Sequence, residues 1–167
     1  MRILRAAAFA VILTLSLMLV VGQSNNGSND SHKADLSGYE EVPAISSTGT
    51  GKLRLKVDEA NQTIDYELSY ENLEGTTTTA SHIHLGQKSV NGGVIAFFCG
   101  GGGRPPCTSG SGTFSGTITA ADVIGPAAQG IAAGEFAEVL RALRAGQIYV
   151  NVHTNKHPGG EIRGQVK

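Results

Sequence analysis

The chain is short of charge and of aromatic rings. Only 16% of its 167 residues are charged, against about 25% in an ordinary soluble domain. The formal net charge is −1, and a nucleic-acid-binding surface needs a basic face, so that class of partner is excluded. Aromatics make up 5%, with no Trp, and a core must then be built from Leu, Ile and Val. Several catalytic signatures are missing too. There is no G-x-S-x-G elbow to expose a serine nucleophile. The glycines 100–103 run into Arg104-Pro105-Pro106 and not into the Lys-Ser that opens a phosphate-binding helix. Glu40 and Glu41 are adjacent, so on an extended segment they point to opposite faces and cannot serve one substrate atom as acid and base. No internal repeat has a fixed period. At this length one domain with its own core is expected.

What is present begins with an address. Arg2 and Arg5 precede an uncharged apolar run over residues 6–21, followed by Gly22 and a polar stretch rich in Ser and Asn. A basic start, an apolar middle and small residues near the exit form a secretory signal, with cleavage expected before Gln23. The alternative is a retained anchor, although the run falls short of the ~20 residues that span a bilayer. The division expected is a signal peptide over 1–22, a flexible leader over 23–32 and a domain over 33–167. Removing Arg2 and Arg5 leaves 11 Lys and Arg against 14 Asp and Glu, a mildly acidic exported domain of charge about −3 with no cationic attraction to a membrane surface. In an oxidising compartment two cysteines this close, Cys99 and Cys107, read as a disulfide closing a small loop. A redox-active pair usually has two intervening residues, and here there are seven.

The domain carries the alternation of antiparallel strands. Leu53, Leu55 and Val57 interleave with Lys52, Arg54 and Lys56, and Ile64, Tyr66 and Leu68 interleave with Asp65, Glu67 and Ser69. Each segment buries one face, and ion pairs across the hairpin would add a few tenths of a kcal/mol each. Further strands are expected over 81–85, 94–99, 112–119, 148–153 and 161–166. Phe136, Val139, Leu140 and Leu143 form the stripe of an amphipathic helix over 134–145, with acids in its first turns, Arg141 and Arg144 in its last, and Gly146 as its cap. A shorter helical turn is expected over 120–124. The fold class is mainly β: a two-sheet Greek-key sandwich or flattened barrel with a helical crossover.

The histidines carry the chemistry. In Ser81-His82-Ile83-His84-Leu85 both imidazoles project from one face of a strand while Ile83 enters the other. At i and i+2 their Cα atoms lie about 6.5 to 7 Å apart, close enough to converge on one ion. In the 148–153 segment His153 shares a face with Tyr149 and Asn151. If the two strands are neighbours, His82, His84 and His153 form a three-nitrogen set suited to copper or zinc. His157 is a poorer fourth candidate, and His32 is assigned to the leader. The plainer reading is that the pair sits on a solvated face and hydrogen-bonds to Glu161 or Asn151.

Three stretches carry a family resemblance: Leu36-Ser37-Gly38-Tyr39-Glu40-Glu41-Val42-Pro43, Ser81-His82-Ile83-His84-Leu85-Gly86, and Tyr149-Val150-Asn151-Val152-His153-Thr154 through Pro158-Gly159-Gly160-Glu161-Ile162-Arg163-Gly164-Gln165. Together they resemble the CHRD domain, named for chordin and found also in microbial secreted proteins, over roughly residues 33–166. The resemblance implies an immunoglobulin-like or superoxide-dismutase-like sandwich, mostly without an assigned activity. A looser likeness is to copper-zinc superoxide dismutase, whose copper is held by an H-x-H strand and a later strand histidine. The bridging histidine and the zinc ligands of that enzyme have no counterpart here. Two functions follow as expectations. The first is a secreted, non-enzymatic module that binds an extracellular protein or surface ligand. The alternative is a copper or zinc protein, a metal carrier or weak redox protein, using His82, His84 and His153.

Overall fold

A computed structural model describes residues 30–167. The expected signal segment and most of the leader lie outside the described residues. Eight strands form one antiparallel sheet: β1 Ser31–Ser37, β2 Thr50–Asp58, β3 Thr63–Glu71, β4 Thr78–Leu85, β5 Val94–Cys99, β6 Gly112–Thr119, β7 Ile148–Thr154 and β8 Ile162–Gln165. Their spatial order is β5-β4-β7-β8-β1-β2-β3-β6. The sheet curls until its two end strands, β5 and β6, approach one another, giving the expected mainly-β, sandwich- or barrel-like architecture in one nearly closed sheet.

The alternation of the sequence does the folding. Leu53, Leu55 and Val57 of β2 and Ile64, Tyr66 and Leu68 of β3 are all buried, facing Ile83, Ile95, Phe98 and Ile118 across an aliphatic core. The β2–β3 register sets Arg54 opposite Glu67 and Lys56 opposite Asp65. Among the described residues these pairs do not close into ion pairs, and the Asp65 carboxylate accepts instead from the Thr117 hydroxyl at 2.8 Å. Among the described residues the one α-helix, α1, spans Phe136–Arg144 and buries Phe136, Val139, Leu140 and Leu143. It ends at Gly146, whose φ of +67° is cheap only for glycine. Arg144 at that end reaches Asp30 at 2.8 Å and Glu59 at 2.7 Å. The expected turn over 120–124 is a 3₁₀ turn at Ala120–Asp122, with the Asp122 carboxylate accepting from the backbone N–H and hydroxyl of Thr119.

One strand had no counterpart in the sequence reading. β1 begins at Ser31, so His32, assigned to the leader, lies in the sheet opposite Leu55 and contacts Asp30 at 2.8 Å. The seam between β5 and β6 is closed by other means. Cys99, at the end of β5, is bonded to Cys107. The Arg104 guanidinium donates to the Thr117 carbonyl of β6 at 2.9 Å, and the Ile124 N–H donates to the Ile95 carbonyl of β5 at 2.9 Å. Both free strand edges thus find partners.

Candidate metal centre

β4 and β7 are neighbours in antiparallel register. His82 lies opposite Asn151, His84 opposite Tyr149, and Ala80 opposite His153. Because successive side chains alternate between faces, this register puts His82, His84, Tyr149, Asn151 and His153 on one face, while Ile83, Val150 and Val152 enter the core on the other. The three expected histidines do come together. One ring nitrogen from each of His82, His84 and His153 lies within 4.8 Å of the other two, and the His82 ring centroid is 4.5 Å from that of His84 and 4.6 Å from that of His153.

This face is not solvated, which corrects one half of the plainer expectation, while the other half, a contact from the pair to Asn151, is present between His84 Nε2 and Asn151 Oδ1 at 3.1 Å. His82 and His84 are each 7% exposed, because the loops on either side fold over the sheet. Glu40 of the segment after β1 pairs with Lys88 of the segment after β4 at 3.3 Å, and the Asn91 amide donates to the Val42 carbonyl at 3.1 Å. Beneath this cover Arg163 is 1% exposed. Its guanidinium donates to the Gln87 and Val90 carbonyls and to Asn91 Oδ1 at 2.9–3.2 Å. It also lies 3.4 Å from the centroid of the Tyr149 ring, which stacks on His84 at 4.5 Å and 3°. A guanidinium, a phenol and an imidazole are layered one on another.

The backbone fixes the tautomers. A carbonyl only accepts, so His84 Nδ1 donates to the Gly92 carbonyl at 2.9 Å and His153 Nδ1 donates to the Pro158 carbonyl at 2.9 Å. In each neutral ring the lone pair is then left on Nε2. This is the outer support that metal-bound histidines ordinarily have. His153 Nε2 and His82 Nδ1 are buried with no hydrogen-bond partner. Burial, reinforced by the neighbouring imidazoles, holds His82 down to about 3. Burial also holds His84 down to about 4 and lowers His153. The rings are therefore neutral, with lone pairs free, at neutral pH.

Of the carboxylates considered from sequence, Glu161, Glu40 and Glu41, none hydrogen-bonds to the three clustered histidines. Glu161 is fully buried elsewhere. Its oxygens accept from the Ser47 and Thr154 hydroxyls, both at 2.7 Å, and from the backbone N–H groups of Glu74 at 2.6 Å and Gly75 at 3.3 Å. That saturation outweighs its burial and holds it below the usual carboxylate range. The segment of Glu40 and Glu41 is a 3₁₀ turn, Gly38–Glu40, and not an extended strand, yet the two side chains still separate. Glu41 is 6% exposed and its Oε1 has no partner. Burial, opposed by the charge of Arg163, pushes it up to about 7. Glu41 also lines a cleft of about 260 Å³ with Asn91, His157 and Gly160. His157 belongs to that cleft and not to the cluster of three. Sequence reasoning passed over Arg163 and the burial of Glu41, and gave Asn151 only the plainer role. The one usable signal was Asn151-Val152-His153, which repeats on β7 the alternation of His82-Ile83-His84 on β4.

A curled antiparallel sheet with three neutral imidazoles gathered under covering loops defines a β-barrel protein with a nitrogen-rich buried site. The CHRD domain family model matches residues 32–166, and the chain belongs to that family. Comparison with curated proteins and with solved structures gives no match.

Proposed function

We propose that this domain is an extracytoplasmic metal-binding module, holding copper or zinc through His82, His84 and His153. The observation that carries the reading is the convergence of three ring nitrogens within 4.8 Å at a place where two of the rings present a buried, unpartnered nitrogen. Burying such a group without a partner costs about 1–3 kcal/mol, and a cation shared by the lone pairs removes the cost. Neutral imidazoles suit copper and zinc, and three of them leave a coordination position to be filled. Export is supported by the basic-then-apolar start of the sequence and by the Cys99–Cys107 bond, which persists in oxidising compartments. The role is binding or carriage of the ion. No catalytic step is assigned.

The test is elemental analysis of the purified domain after loading with zinc or copper and removal of excess. About one equivalent per chain is expected, lost in the double variant His82→Ala, His84→Ala. Less than about 0.2 equivalents, unchanged in the double variant, would refute the proposal.

A further inference from the structure

The geometry points to Asn151 as the fourth ligand of this centre, with its side-chain oxygen completing a set of three imidazole nitrogens and one amide oxygen. The inference rests on the metal reading above and extends it to a residue outside the histidine set.

Asn151 stands directly across the β4–β7 ladder from His82 and two residues before His153 on the same strand. It therefore occupies the middle of the patch that the three imidazoles surround. It is 3% exposed, and its strand is fixed there because the Ser81 hydroxyl donates to the Asn151 carbonyl at 2.8 Å. The informative contact is between Asn151 Oδ1 and His84 Nε2, which lie 3.1 Å apart. The hydrogen of His84 is already committed on Nδ1 to the Gly92 carbonyl. Nε2 then carries a lone pair, and so does Oδ1. With the amide oxygen facing Nε2, as here, two acceptors meet with no proton between them; a cation shared by both lone pairs satisfies this arrangement without turning the amide. Ligand atoms bound tetrahedrally at about 2.0–2.2 Å stand roughly 3.3–3.5 Å apart, so a small widening of the observed 3.1 Å pair is all that separates it from a coordination edge. His153 Nε2 and His82 Nδ1, both unpartnered, supply the remaining donors. An amide oxygen is a harder ligand than imidazole, so the set favours Zn²⁺ or Cu²⁺ over Cu⁺.

The experiment is competitive titration of Zn²⁺ against a chromophoric chelator for the intact domain and for Asn151→Ala and Asn151→Asp, with thermal melting of the metal-free proteins to show that each is folded. Asn151→Ala should weaken Zn²⁺ binding by at least about tenfold. Asn151→Asp keeps an oxygen in place and adds charge, and it should bind at least as tightly as the parent. Folded Asn151→Ala that binds as tightly as the parent, or more tightly, would overturn the ligand role. Tighter binding would mean that the amide is turned to donate to His84 Nε2 and competes with the ion. In both cases the three-histidine centre would stand. A parent domain that takes up no Zn²⁺ or Cu²⁺ would remove the centre itself.

Discussion

At the scale of single residues, two buried carboxylates show how environment divides chemically identical groups. Glu161 receives four hydrogen bonds from three separate segments and works as a clamp. Glu161→Ala would strand those donors in the interior, where each costs about 1–3 kcal/mol. A loss of roughly 3 kcal/mol or more in denaturant unfolding is expected, and a change within about 0.5 kcal/mol would contradict the clamp. Glu41 has the opposite surroundings. Its folded value of about 7 stands above its ordinary 4.5, so between these limits the folded chain holds a proton that the unfolded chain releases. The stability this gives is complete below 4.5 and is lost as pH rises through 7. For the metal-free protein, the melting temperature of the parent should fall relative to that of Glu41→Gln between about pH 5 and about pH 8. Parallel profiles would show that Glu41 titrates normally. The buried histidines act in the other direction at lower pH, and comparison of the two proteins cancels them. The glycine pair of the last hairpin also divides. Gly160 has φ +131°, and an added Cβ would fall 2.2 Å from Glu41 Oε1. Gly159 has open space around it. Gly160→Val should therefore disturb the hairpin, whereas Gly159→Val should be tolerated; equal effects on thermal melting would refute the distinction.

At the scale of elements, the site is one short ladder. H-x-H on β4 and N-x-H on β7 face each other because the pleat repeats every two residues and the register sets His82 against Asn151. That much was legible, since the alternation of Ile83, Val150 and Val152 determines which face the imidazoles take. The cover over that face was not legible. It depends on Arg163 reaching the carbonyls of Gln87 and Val90, contacts between segments more than 70 residues apart that no local pattern encodes. β1 escaped for a different reason. Its seven residues bury only Ala34 and Leu36, too few apolar side chains to stand out from a polar leader. The Cys99–Cys107 bond beside the β5–β6 seam was legible in the spacing of the two cysteines, though the seam was not. By the chain-entropy argument a ring of this size contributes about 2.5 kcal/mol. Reduction, or Cys99→Ser with Cys107→Ser, should lower stability by up to that amount and leave the β-sheet circular dichroism intact. Loss of the sheet signal would mean that the bond, and not the aliphatic core, holds the barrel together.

At the scale of the whole molecule, one curled sheet presents an inner face filled by aliphatics and an outer face that, over β4 and β7, is roofed by loops. The roof changes the chemistry beneath it. Exposed imidazoles would titrate near their ordinary 6.5, whereas these are held down to about 3 and about 4 for His82 and His84. A neutral, partly dehydrated cluster keeps its lone pairs free of protons at neutral pH, which a transition-metal ion requires and a solvated histidine pair lacks. The most direct test is X-ray absorption spectroscopy of the domain loaded with one equivalent of zinc or copper. Three imidazole ligands at about 2.0–2.1 Å are predicted, with the imidazole scattering reduced in His153→Ala. A spectrum without imidazole scattering, or one that His153→Ala leaves unchanged, would contradict the three-histidine centre.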